Sequence, residues 1–272
     1  MSRITVLAVG GTGESYPGDT RTDVSGMLAA VTDHLDDRFA TRWIPYPASY
    51  GPVPKLDGVA FRHSVEAGVR ALAAAVEDAD GPIILLGYSQ GCTVVRELLA
   101  DTAITARDHV LGTGLVADPQ MPHGLAVGKP HLAGSGVAGP GGDVAVPTWW
   151  IANDHDPICN ASPDSLLRDL ADLTEFMSGD GIRWGTAVMD RLRHRSRQNA
   201  WGASEPGNPA AVQRAKRRVD TAIQEARAYL PFHPRLNATG GQHTSYSTVP
   251  YNGDGETGCE LLARKITEQF GD

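Results

Sequence analysis

Pro82-Ile83-Ile84-Leu85-Leu86-Gly87-Tyr88-Ser89-Gln90-Gly91 carries an apolar run straight into a G-x-S-x-G, and the residues from Gln90 to Leu99 have helical spacing. Ile83 to Leu86 has the length and the lack of alternation of a strand covered on both faces. Ser89 is therefore expected on a tight strand-to-helix turn that holds its hydroxyl clear of the sheet. The flanking glycines let neighbouring backbone approach that turn, and the first amides of the emerging helix favour an oxyanion beside it. In that context Ser89 reads as a nucleophile. Without the strand before it and the helix after it, the same motif would be an accident of a glycine-rich chain and the serine a plain helix cap.

Working outward, Ile4 to Val9 reads as a buried strand that ends in the permissive Gly10-Gly11-Thr12-Gly13. Met27 to Leu35 has helical spacing, and Thr41 to Tyr46 is a short strand. Val65, Val69, Leu72, Ala73 and Val76 recur at three and four residues and predict an amphipathic helix over 61–78. Strands near Val110 to Val116 and Val146 to Ala152 complete a series that implies a mainly parallel sheet with both faces covered. The glycine- and proline-rich residues 133–143 are expected to form a mobile surface loop. Residues 161–232 read as a wholly helical insertion. Ser162-Pro163 and Asn208-Pro209 are its capping pairs, and apolar faces through Leu166, Leu170, Val219 and Ile223 suit a cover for the rim of the sheet. A closing helix spans Gly258 to Phe270. The expectation is a single α/β domain over 1–272, an α/β-hydrolase carrying that insertion.

An α/β-hydrolase places its acid and base after the serine, in the order Ser, Asp or Glu, His, on loops that follow later strands. The strand ending at Ala152 runs into Asn153-Asp154-His155-Asp156-Pro157, which offers two carboxylates. Asp156 is favoured because it lies further into the loop and Pro157 stiffens it; Asp154 reads as a turn former or cap. His155 is a poor base because a base must reach Ser89 from a separate loop. His243, in Gly240-Gly241-Gln242-His243-Thr244-Ser245-Tyr246, has the expected late position, with His233 as its rival. The amide of Gln90 and the amide or hydroxyl of Thr12 are the candidate oxyanion donors. Gly10 to Gly13 lacks the third glycine of G-x-G-x-x-G, which sets a dinucleotide site aside.

Composition narrows the function classes. The chain has 272 residues, 41% hydrophobic and 21% charged, which suits one generous globular domain, and its formal net charge of −8 opposes a general nucleic-acid binder. No apolar run approaches the length of a membrane helix, and Met1-Ser2-Arg3 lacks the pattern of a secretory signal, so synthesis in a cytoplasm, or exit by another route, is expected. Cys92, Cys159 and Cys259 are too few and scattered for a disulfide framework or a metal site. Between 181 and 218, nine Lys and Arg face only Asp190 and Glu205, a local charge of +7. That patch reads first as a solvated face and second as a contact for an anionic envelope surface. Trp149 and Trp150 must face opposite sides of the sheet.

Gly-Thr-Gly-Glu after the first strand, Gly-Tyr-Ser-Gln-Gly, Asn-x-x-Asp-x-x-Cys and a late His-x-x-Tyr resemble the serine esterases of the cutinase superfamily. The helical insertion and the His-Thr-Ser-Tyr ending resemble, within it, the lysin B enzymes of mycobacteriophages and the mycobacterial PE-PPE esterase domains. The likeness covers residues 4–160 and 235–272. It implies a cutinase-like fold, Ser89 as nucleophile, Asp156 as orienting acid, His243 as base, Thr12 and Gln90 as oxyanion donors, and no cofactor or metal. It also implies a lipid ester substrate. For the lysin B enzymes this is the ester between mycolic acids and arabinogalactan, cut at the cell envelope during host lysis by a protein made in the host cytoplasm. A cell-encoded esterase on free lipids is the alternative within enzymes, and a non-catalytic phage structural or wall-binding module is the remote one. Secreted cutinases tie the acid loop with a disulfide whose places here hold Ala152 and Cys159, so that staple is absent and Pro157 and the insertion are left to hold Asp156.

Overall fold

A computed structural model describes residues 3–51, 53–55, 57–101, 108–174, 209–229 and 241–270. The chain runs β1 (Ile4–Val9), a 3-10 turn (Gly26–Leu28), α1 (Ala29–Thr32), β2 (Phe39–Trp43), α2 (Phe61–Glu77), β3 (Ile83–Tyr88), α3 (Gln90–Ala100), β4 (Val110–Val116) and β5 (Thr148–Ile151). It continues with α4 (Leu166–Thr174), α5 (Pro209–Tyr229), a 3-10 segment (Gln242–Ser247) and α6 (Gly258–Phe270). The five strands form one sheet in the order β2-β1-β3-β4-β5, parallel throughout.

The strand period explains the layers. Ile83 and Leu85 of β3, with Leu7 and Val9 of β1, join Leu72 and Val76 of α2 and Val94 and Leu98 of α3 in one core. Ile84 and Leu86, with Val6 and Ala8, turn the other way onto Leu28, Val31 of α1 and Leu261, Leu262 and Ile266 of α6. Every residue of β3 is buried, as its unalternating sequence requires. Trp150 lies in the first core, while Trp149 packs edge-on against Phe270 on the opposite side.

Several expected elements differ in extent. The helix expected over Met27 to Leu35 is only a 3-10 turn and the four residues of α1. The second strand begins earlier than expected because Ile4 pairs with Phe39 and sets the register from there. The α4 cap is Ser165, whose Oγ accepts the Leu167 amide at 3.1 Å, instead of the expected Ser162. Val219 and Ile223, expected to cover the sheet rim, are exposed. Polar contacts attach α5 instead: Arg218 to Asp169 at 2.7 Å, and Glu225 to the Ser162 amide at 3.0 Å and to Ser165 Oγ.

The loop over 133–143 has no regular structure but is strapped down. Val137 N–H donates to Ile158 O at 2.8 Å and Ala138 N–H to Pro119 O at 2.8 Å. Arg96 reaches Gly142 O at 2.6 Å while pairing with buried Asp118 at 3.1 Å. Arg168 of α4, itself buried, donates to Gly136 O at 2.6 Å and Ala161 O at 2.9 Å. Charged donors satisfy the carbonyls that an irregular loop exposes, so this segment is an anchored strap against the acid loop.

Candidate active site

The sheet topology fixes where a site can form. The chain leaves β1 toward β2 on one side, and β3 to β5 continue on the other, so the strand order reverses between β1 and β3. Ligand sites of open parallel sheets lie at the carboxyl ends beside such a reversal. There the loop Gly10–Glu14 after β1 faces Ser89 after β3, and Asp156 follows β5 on the same edge.

Ser89 has φ 51° and ψ −116°, a backbone that costs a non-glycine residue about 1–3 kcal/mol. The surrounding packing enforces it. A Cβ on Gly91 would lie 2.0 Å from Val9 O, and one on Gly87 would lie 2.8 Å from the Cys92 Cα. Both glycines of the motif are thus required by close backbone approach. The Ser89 amide is tied to Val116 O at 2.9 Å, which locks the turn to the end of β4.

The three side chains singled out from the sequence meet. Ser89 Oγ lies 2.9 Å from His243 Nε2, and His243 Nδ1 lies 2.9 Å from Asp156 Oδ2. Asp156 is fully buried and His243 nearly so. Burial by itself pushes the Asp156 carboxyl up, but His243, the Tyr246 hydroxyl and the Ile158 amide together hold it below the usual carboxylate range. Asp154 is elsewhere: it pairs with Lys129 at 3.3 Å and with His131 at 3.6 Å on the half-exposed side of the loop. His155 is exposed on the same loop. His233 and residues 175–208, with most of the basic patch, lie outside the described residues. Of that patch's described members, Lys216 and Arg217 are exposed and Arg218 is paired with Asp169.

The loop after β1 is held by an internal clasp. Glu14 accepts the Gly11 amide at 2.8 Å and the Met27 amide at 2.8 Å. The Gly13 amide donates to Ala48 O at 2.8 Å and the Glu14 amide to Gly11 O at 3.1 Å. Those bonds leave the Thr12 N–H as the loop amide between Gly11 and Glu14 with no partner among the described residues. Gln90 opens α3, so its N–H has no preceding turn to serve. Its side chain is structural, donating to Ser49 O at 2.9 Å and accepting from Ser64 Oγ at 3.2 Å. Glu14 has its pKa raised by burial, against the pull of the two amides and of His243.

Sequence reasoning gave no role to four neighbours. Tyr246 donates its hydroxyl to Asp156 Oδ2 at 2.6 Å. Tyr88 stacks on the His243 ring and donates to His243 O at 2.8 Å, and Tyr229, the last residue of α5, meets the same ring at 5.4 Å between centroids. The Cys159 thiol touches Asp156 Oδ2 at 3.6 Å and the Tyr246 hydroxyl at 3.3 Å, so it is packed under the acid loop instead of being bridged. The spacing of Tyr246 three residues after His243 was a usable signal. Tyr229 had none, because it arrives from the far end of the insertion.

A parallel sheet with this reversal, and a serine on the strand-to-helix turn at its carboxyl edge, defines an α/β-hydrolase of cutinase-like build, a fold that lipases and esterases use. In particular the chain resembles lysin B from mycobacteriophage D29, at 20% identity over 87% of this chain and 96% of that one, with a TM-score of 0.53. A cutinase-like protein from Cryptococcus sp. matches at 16% identity over 70% of this chain and 94% of its own, with a TM-score of 0.45. The PE-PPE domain model matches residues 39–130, a span that contains Ser89 and stops short of Asp156 and His243. The SL1278 acyltransferase Chp1 of Mycobacterium tuberculosis is 36% identical over 95 residues, or 34% of this chain. The match spans about a quarter of that relative's length, 24%. Among the described residues, no helix is long and apolar enough to cross a membrane.

Proposed function

We propose that this chain is a serine esterase that cleaves lipid esters through an acyl-enzyme. The observation that carries the reading is the continuous line of hydrogen bonds from Ser89 Oγ through His243 to buried Asp156. An ionised Asp156 can only accept, so His243 keeps its proton on Nδ1 and presents the Nε2 lone pair to Ser89. His243 takes the serine proton as Oγ attacks the ester carbonyl, and the N–H of Gln90, with the N–H or hydroxyl of Thr12, holds the oxyanion. The imidazolium, facing Asp156, then gives its proton to the leaving alkoxide. Water, activated at the same nitrogen, releases the acid. This sequence of steps calls for no cofactor or metal.

The likeness to lysin B supports a finer reading: the ester joining mycolic acid to arabinogalactan, cut at the envelope in phage-mediated lysis of the host that made the protein. The basic stretch of the insertion then serves as contact with an anionic envelope surface. Partial similarity to the SL1278 acyltransferase favours a second reading, in which an alcohol replaces water in the deacylation step.

Ser89→Ala is expected to lower kcat on p-nitrophenyl butyrate by roughly 10⁴ or more and to abolish labelling by a fluorophosphonate. A Ser89→Ala protein with wild-type turnover overturns the proposal. Products from mycolyl-arabinogalactan and from triglyceride, with and without an added alcohol, distinguish wall esterase, lipase and acyltransferase.

A further inference from the structure

Tyr246 is almost fully buried, at 2% exposure, in the 3-10 segment that also carries His243. Residues three apart in a 3-10 turn lie on the same side, so the phenol and the imidazole reach toward one carboxylate. The hydroxyl has a single proton and three neighbours. The Asn153 amide, at 3.1 Å, can only donate to it. Cys159 Sγ lies at 3.3 Å, and Asp156 Oδ2, charged and at 2.6 Å, is the acceptor that wins the proton. Burial, and then the Asp156 charge, push the phenol far above its ordinary value, so it stays a donor. Asp156 Oδ2 therefore serves two strong donors, Tyr246 and His243, and the weak Cys159 thiol at 3.6 Å, while Oδ1 takes the Ile158 amide at 3.0 Å.

We propose that Tyr246 is a positioning residue, whose hydroxyl shares the Asp156 oxygen with His243 and so sets both the orientation of that carboxylate and the basicity of the imidazole. The inference rests on the roles given above to Ser89, His243 and Asp156. The other groups that face the pair are Cys159, Tyr88, Tyr229 and Glu14. Burial holds the Cys159 thiol and the Tyr88 and Tyr229 phenols above their usual values, so they face the pair uncharged. Glu14 is the acidic neighbour whose charge reaches His243. With no cation among them, the Tyr246 proton is the group that draws carboxylate charge away from the imidazole. Without it the full charge falls on His243 and favours the imidazolium.

The test is Tyr246→Phe, with kcat/KM followed against pH and the His243 ring followed by NMR titration. We expect the acid limb and the imidazole titration to move together to higher pH, with kcat lower by on the order of tenfold. Incorporation of 3-fluorotyrosine at 246 retains the hydroxyl and makes the phenol a stronger donor, so it is expected to move both readouts to lower pH. That second variant answers the question even where Tyr246→Phe does not fold. Folded variants whose acid limb and NMR titration both match wild type overturn the proposal. Fluorophosphonate labelling of wild-type Ser89 checks the underlying reading separately. A wild-type Ser89 that resists the label refutes that reading, and the role assigned to Tyr246 falls with it.

Discussion

Replacing Asp156 with asparagine, beside the same change at Asp154, tests which carboxylate serves His243. Asp156 accepts from His243, Tyr246 and Ile158, and weakly from the Cys159 thiol, and has no Lys or Arg beside it among the described residues. An asparagine amide has one oxygen, so its NH2 must face a donor: the Ile158 amide if turned one way, both His243 and Tyr246 if turned the other. The cheaper orientation keeps the oxygen on His243 but deletes the negative charge opposite the imidazolium. Two unit charges about 4 Å apart at an effective dielectric near 20 interact by about 4 kcal/mol, which corresponds to roughly a thousandfold in kcat. The other orientation disturbs the tautomer as well and raises the loss toward about 10⁴. Asp154 has 41% of its side chain exposed and bonds Lys129 and His131, so Asp154→Asn is expected to change kcat by no more than about twofold. The assay is p-nitrophenyl butyrate hydrolysis across pH 6 to 9, with thermal melts to confirm folding. A folded Asp156→Asn protein within tenfold of wild type, or an Asp154→Asn loss of comparable size, refutes the reasoning.

Two further substitutions test the scaffold of the turn and the loop. Gly91→Ala places a methyl 2.0 Å from Val9 O; it should destabilise by about 1–3 kcal/mol in urea melts and depress kcat more than KM, because the Ser89 turn must shift. Glu14→Gln leaves either the Gly11 or the Met27 amide without its acceptor, an expected loss of about 1–3 kcal/mol. Because burial makes Glu14 easier to protonate in the folded chain than in the unfolded one, wild-type stability from this group is full below the ordinary glutamate range and is lost as pH rises through the raised value. Melts at pH 5 and pH 8 should therefore show the larger penalty at pH 5; an equal or reversed difference refutes that account.

Much of the fold was legible because local patterns carried it. The all-apolar β3 could only be a strand buried on both faces, and the glycines around Ser89 announced close backbone approach at both sides of one turn. The order Ser89, Asp156, His243 followed from the positions of strand ends. Register was less legible, since the pairing of Ile4 with Phe39 sets where β2 starts and nothing in residues 39–46 specifies it. The strap over 133–143 reads as a mobile loop because Gly and Pro record only the absence of regular structure. Its anchors, Arg96 and Arg168, come from distant helices.

The sequence alone determined the chemistry on offer: a serine on a strained turn, a late histidine, and an acid loop with two carboxylates. Only the tertiary structure shows which of those carboxylates His243 meets, because both sit on one short loop and the backbone turns them in different directions. Asp156 is turned inward, where His243 and Tyr246 converge on a single oxygen; Asp154 is turned outward to Lys129 and solvent. Periodicity and motif report what lies along the chain. The Tyr246 hydroxyl, the Glu14 clasp and the arrival of Tyr229 at His243 depend on segments distant in sequence meeting at one edge of a sheet, and packing alone sets those distances.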